Sequence, residues 1–206
     1  VTLLIEIHPQ NPQARYIHKV VELLQQDGLL VCPTDATYAL VCLAGAKKPL
    51  EQLTRIRQLD RKHLFTLMCR DFSQATDYVH IDNAHFRLLK VLLPGPYTCI
   101  LPSTRLTPKR LLSKRDSLGI RIPDHAICQA LLAVLDQPLL ISTLILPSET
   151  QPLTDAYEIA QRLDHQVAAV IDGGPGLLQL TTVIDLCDQT PKVVREGLGA
   201  VSRFLA

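Results

Sequence analysis

The first residues with chemistry to offer are arginines that recur inside or at the ends of apolar runs. Arg55 and Arg57 stand two apart in LTRIRQL, Arg121 sits within the otherwise apolar GIRIP, and Arg195 precedes the glycine of VVREG. A guanidinium cannot shed its charge, so an arginine among buried residues needs an acceptor. That acceptor is either a protein carboxylate, with Asp35, Asp172 and Asp185 as candidates, or the phosphate or carboxylate of a ligand. Hydroxyls gather at matching places: Thr34 and Thr37 in CPTDATY, Thr98 after PGPY, Ser142 and Thr143 closing PLLIST, and Thr181 and Thr182 opening TTVID. Singly, such residues cap helices and close turns. Recurring with arginines at strand ends they outline one polar rim, and strand ends are a common place for a ligand cleft.

Other chemistries find less support. The chain has neither GxxxxGK[ST] nor GxGxxG, and the proline in Gly173-Gly174-Pro175-Gly176 removes a backbone donor, so that stretch reads as a turn. There is no GxSxG, and no cysteine has a neighbouring histidine. The cysteines Cys32, Cys42, Cys69, Cys99, Cys128 and Cys187 include no CxxC, and the histidines no HxxxH, so no zinc or other protein-bound metal is expected. Most of them fall in apolar strand-like runs, where a free thiol behaves as a small hydrophobe.

With 206 residues, 47% hydrophobic and 20% charged, the chain reads as a soluble single domain over 1–206 with a sizeable core. No apolar run reaches the roughly 18 residues of a membrane span. The start VTLLIEIHPQ lacks a basic n-region, so a cytoplasmic location is expected. A net charge of +1 means that any anion site must come from local clustering. Two clusters exist, Arg55, Arg57, Arg61 and Lys62, and Arg105, Lys109, Arg110, Lys114 and Arg115, which read either as solvated helix faces or as anion sites.

The elements that must carry these residues follow from periodicity and capping signals. LLIEI reads as a strand, and Asn11-Pro12 predicts a helix start with Ile17, Val20, Val21 and Leu24 inward and Gly28 as its stop. LLVCP and YALVCLA are strands; Leu50, Leu53 and Ile56 mark a helix; LFTLMC is a strand. Asp82 or Asn83 caps a helix with Phe86, Leu89 and Leu93 inward, followed by strand YTCIL, a basic helix over 108–115 and the strand GIRIP. Asp124 caps ICQALLAVL, PLLIST is a strand, and a helix starts near Asp155 with Glu158 in capping-box position. VAAVID, TTVIDL and KVVRE are the last strands. Alternation without a strict period, with strands in succession near the end, argues for an α/β (α+β) mixed sheet with helices packed on it.

PTDATYAL, PGPYT, GIRIP, TTVID and VVREG, with RIRQL and FTLMCRD, occur in an order that covers nearly the whole chain. In these segments the sequence resembles the YrdC/YciO family, and most closely its YciO branch. The resemblance implies a YrdC/RibB-like twisted mixed, mostly parallel sheet flanked by helices around a concave basic cleft. It implies binding of double-stranded RNA or tRNA and of nucleotides. It also implies L-threonylcarbamoyl-AMP synthesis from L-threonine, bicarbonate and ATP with Mg²⁺, in tRNA threonylcarbamoyladenosine modification; a non-catalytic RNA-binding module is the alternative. By position it assigns Thr34, Thr37, Arg121 and Thr181 to L-threonine, and Arg55, Arg57, Ser117, Ser142, Thr143 and Arg195 to ATP and its phosphates. Two departures stand out: Arg55 where the enzymes have lysine, and Leu144-Ile145-Leu146 where they carry Ser-Ala-Asn. The loss of one key polar donor costs about 2.7–4 kcal/mol of transition-state stabilisation.

Overall fold

The structure, a computed structural model, describes residues 1–60, 63–112, 116–147 and 149–202. Its strands are β1 (Leu3–Glu6), β2 (Leu30–Cys32), β3 (Ala39–Leu43), β4 (Thr66–Met68), β5 (Tyr97–Pro102), β6 (Ser117–Arg121), β7 (Leu139–Thr143), β8 (Ala169–Asp172), β9 (Thr182–Asp185) and β10 (Lys192–Arg195). Its helices are α1 (Ala14–Gln25), α2 (Lys47–Arg57), α3 (Phe72–Thr76), α4 (Asn83–Leu92), α5 (Ala126–Leu135) and α6 (Ala156–Arg162). All ten strands join one sheet in the order β1-β8-β2-β3-β7-β4-β6-β5-β9-β10. The sheet is mixed, as the succession of strands predicts, with four parallel and five antiparallel pairings.

Strand alternation assigns the layers. Val31, Leu40, Leu67, Cys99, Ile120 and Leu140 point to one face, where the apolar sides of α2, α3, α4 and α6 cover them. Leu30, Val41, Met68, Leu139 and Ile171 point to the other, covered by Ile17, Val20, Val21 and Leu24 of α1 and by Ile127, Leu131 and Leu132 of α5. The apolar cluster on this second face stops at β4. Farther along, the same face presents Thr98, Ile100 and Val183 to a cleft. The cleft is thus a stretch of sheet over which the helical layer does not extend.

Several local expectations change in the structure. Helix α1 starts two residues later than Asn11-Pro12 suggests: Gln13 is its N-cap, and its side chain instead accepts from the His8 N–H at 3.1 Å. The left-handed residue at its end is Asp27 (φ 60°), and Gly28 is required for space, since a Cβ there would meet the Leu23 carbonyl. His125, not Asp124, is the N-cap of α5, because the Asp124 backbone N–H is tied to Asp35. Phe86 is turned outward at 39% exposure, edge-on to Phe72 with Lys90 over its ring. Within 108–112 the expected basic helix is one 3-10 turn, Lys109–Leu111; its continuation lies outside the described residues, as do Arg61, Lys62, Lys114 and Arg115. Asp82 and Asp155 cap α4 and α6 through side-chain acceptance, as their sequence positions suggest.

Candidate anion-binding cleft

The loop between β2 and β3 builds one wall. Thr34 Oγ1 donates to the Thr37 carbonyl at 2.6 Å and accepts from the Ala36 N–H at 3.1 Å, which closes the loop on itself. Arg121 Nη2, from the end of β6, donates to Thr34 Oγ1 at 3.1 Å and to Asp35 Oδ1 at 2.5 Å. Asp35 Oδ2 accepts from the Asp124 N–H at 3.2 Å. In the sheet order β7 and β4 lie between β3 and β6. The Arg121–Asp35 contact therefore reaches across the ends of the intervening strands, from the β2–β3 loop to the end of β6.

The opposite wall is hydroxyl and guanidinium. Arg195 grips the Thr181 carbonyl with Nε and Nη2 at 3.2 and 2.9 Å, and Thr181 Oγ1 lies 3.0 Å from Thr98 Oγ1. Arg57 reaches in from the last turn of α2. The lining holds Arg57, Arg121 and Arg195 with Thr66, Thr98, Ser142, Thr143 and Thr181, and among the described residues it includes no carboxylate. The Nε atoms of Arg57 and Arg121 are buried without a hydrogen-bond partner among the described residues. Burial weakens the hold of Arg57 on its proton; burial and then the charge of Arg121 do the same for Arg195. Like charges facing one hollow of about 300 Å³, with donors left unpaired, suit an anion.

The floor and one rim are apolar. Ile100, Ile141 and Val183 line the floor, and Ile145 and Val194 the edge. Beyond β7 the Leu144 N–H donates to the Tyr38 carbonyl at 3.0 Å and its side chain is fully buried in the core, while the Ile145 N–H turns back to the Thr143 carbonyl at 3.1 Å. That tight turn aims Ile145 at the cleft, and Leu146 packs against the core. A larger hollow of about 600 Å³, with Leu50, Leu59, Phe65 and Leu112 in its lining, adjoins the cleft, and His63 belongs to both.

Burial and then the charge of Arg57 lower the His63 imidazole below its ordinary 6.5, with Asp60 opposing. An NMR titration of His63 is expected to show a midpoint under 6.5. Sulfate, whose charge is constant in this range, should raise that midpoint by neutralising Arg57. A midpoint at or above the ordinary value in the free protein would contradict the placement. The unfolded chain takes the proton first, so this residue costs stability as pH falls through 6.5 toward the folded value.

A sequence profile for the Sua5/yciO/yrdC family, described as "Telomere recombination", matches residues 22–197. The chain belongs to this family. Over 200 residues, 97% of each chain, it is 48% identical to the uncharacterized protein YciO of Escherichia coli K12. An uncharacterized protein of Haemophilus influenzae is 44% identical over 201 residues, again 97% of each. The crystal structure of E. coli YciO superposes with a TM-score of 0.96 at 47% identity, covering 99% of this chain and 100% of that one. The structure of P. abyssi Sua5 complexed with L-threonine shares the fold, with a TM-score of 0.86 at 23% identity over 95% of this chain and 58% of that one.

Of the residues that family resemblance singles out, Arg57, Arg121, Ser142, Thr143, Thr181 and Arg195 line one cleft. Thr34 stands directly behind it as a partner of Arg121. Thr37 is buried and supplies its carbonyl to the wall. Two do not converge: Arg55 is exposed on α2, and Ser117 is buried at the far end of β6 from Arg121, beside Cys187. The cationic side chain that α2 sends into the cleft is therefore Arg57. The cleft also holds His63 and Thr66, which the sequence did not single out. Thr66 opens β4 opposite Gly119, where any Cβ would collide with the threonine hydroxyl, so the glycine of GIRIP was the available signal.

Proposed function

We propose that the cleft binds ATP and L-threonine and supports slow formation of L-threonylcarbamoyl-AMP, in the service of tRNA modification. The observation that carries this reading is the convergence of Arg57, Arg121 and Arg195 on a lining that, among the described residues, has no carboxylate and leaves two guanidinium Nε atoms without a partner. Threonine and bicarbonate condense to a carbamate, whose carboxylate oxygen attacks the α-phosphorus. The new P–O bond forms as the α–β bridging P–O bond breaks and pyrophosphate leaves. Arg57 and Arg195 face the phosphates, and Arg121, fixed by Asp35 and Thr34, takes the threonine carboxylate. Mg²⁺ enters on the phosphates of the nucleotide as part of the substrate; among the described residues no three His, Cys, Asp or Glu side chains are placed to hold a metal. Orientation and charge stabilisation are all that such a reaction asks of the protein.

The rate is slow because the wall after β7 offers Ile145 to the cleft and sends Leu144 into the core. At about 2.7–4 kcal/mol for a missing donor, turnover is expected to be roughly 10²–10³ lower than with that donor present. Purified protein with L-threonine, bicarbonate, ATP and Mg²⁺ should release pyrophosphate and form adenylate in a threonine-dependent manner. No product above a heat-killed control overturns the reading. RNA binding is a second reading, favoured by the exposed Arg105, Lys109 and Arg110 on one segment outside the cleft. It requires an affinity for structured RNA that falls steeply with salt, and a flat dependence rules it out.

A further inference from the structure

Behind the Thr34–Asp35 wall lies a cluster that the cleft chemistry does not use. Cys32 ends β2 and Cys128 lies in the first turn of α5. Both thiols are fully buried and donate to one acceptor, the Pro33 carbonyl, at 3.3 and 3.2 Å. The shared carbonyl brings the two sulfurs together across a strand–helix contact. The third member is His125, the half-buried N-cap of α5. It stands three residues before Cys128 at the start of the same helix, and its Nδ1 is buried without a hydrogen-bond partner among the described residues.

The surroundings divide the two thiols. The neighbouring Cys32 thiol first, then His125 and Arg121, outweigh burial and hold Cys128 below the ordinary thiol range. The Cys128 thiol beside it and burial push Cys32 the other way. For His125, burial acts downward, but Cys128 and Asp35 outweigh it and raise the imidazole. A first-turn position and an imidazole close by favour the thiolate form. No other cysteine shares this setting: burial pushes Cys42, Cys69 and Cys99 up to about 12, and burial with Asp185 takes Cys187 to about 11.

We infer that Cys128 and Cys32 form a redox-active dithiol that reacts with a small hydroperoxide and closes as a Cys32–Cys128 disulfide. The Cys128 sulfur, its proton passed to His125, attacks the terminal peroxide oxygen. The O–O bond breaks, and His125 returns the proton to the departing oxygen, which leaves as water or alcohol. The Cys32 sulfur then attacks the resulting sulfenic acid. The S–S bond forms, the S–O bond breaks, and the hydroxyl leaves as water with the Cys32 proton. The peroxide has gained two electrons and the two thiols have lost them; a dithiol reductant reverses the change. Closure strips both S–H donors from the Pro33 carbonyl, at the entrance to the Thr34–Asp35 wall. The inference is independent of what the cleft binds.

The test treats the reduced full chain with hydrogen peroxide, alkylates the remaining thiols under denaturing conditions and maps the peptides. Four of the six cysteines should then alkylate, with Cys32 and Cys128 joined in one cross-linked peptide, and dithiothreitol should restore all six. Cys32→Ser should stop at a sulfenic acid on Cys128, captured by a dimedone reagent, and Cys128→Ser should keep its remaining thiols. Six alkylated cysteines after peroxide, or a cross-link through any other cysteine, would overturn the inference. The wild-type map decides the matter even if a variant fails to fold.

Discussion

Arg121→Met is expected to lower folding stability by about 3–5 kcal/mol and to abolish anion binding in the cleft. The side chains of Arg121 and Asp35 are only 6% and 10% exposed, and they meet at 2.5 Å. Deleting one partner of a buried pair leaves the other's charge without compensation, which costs more than the pair itself contributes. Thr34 Oγ1 loses a donor at the same time, so the loop wall loosens with it. Urea unfolding measures the first effect, and calorimetry with ATP or threonine the second. The double variant Asp35→Leu/Arg121→Met separates the two roles. An apolar pair of similar volume should recover most of the lost stability, whereas ligand binding should stay absent. A single variant within about 1 kcal/mol of wild type would place the pair among solvent-relaxed ion pairs and remove the structural half of the argument.

Installing Ser-Ala-Asn at Leu144, Ile145 and Leu146 should destabilise the protein by about 4 kcal/mol or more, not awaken a faster enzyme. Truncating a buried leucine costs about 2–5 kcal/mol, and Leu144 is 0% exposed in the core beneath α2 and α6. A serine there adds a buried hydroxyl, worth about 1–3 kcal/mol more if unpaired. Leu146 also packs on that core, so the asparagine adds to the loss. Ile145→Ala alone, at the cleft edge, should change stability far less while widening the site. Urea midpoints and threonine-dependent pyrophosphate release check both variants. A triple variant with an unchanged midpoint and a raised rate would show that the segment can turn its polar residues into the cleft.

These two variants mark how far the sequence could be read. GIRIP announces a buried arginine and VVREG a half-buried one because charge interrupts an apolar alternation, and a guanidinium there must find an acceptor. The candidates offered for that acceptor included Asp35, which the structure selects for Arg121; for Arg195 it selects instead the Thr181 carbonyl. At 144–146 the sequence shows lost polarity but not its direction. The turn at Thr143–Ile145 puts Ile145 into the cleft and Leu144 into the core.

The same division runs through the molecule. Local patterns determined the strands, the apolar stripes of α1 and α5 and the caps Asp82 and Asp155, because each depends on neighbours a few residues away. The choice of Arg57 over Arg55 depended on how α2 is rotated about its axis by the packing of Leu50, Leu53 and Ile56. The meeting of Cys32 with Cys128, and of Arg121 with Asp35, depended on strand order and on how the connecting loops pack. Sequence by itself determined which side chains carry charge, hydroxyl or thiol, and where the main apolar stripes lie. Tertiary structure alone decided which of them meet, because long-range register and loop placement are set by the packing of the whole core and not by any one segment.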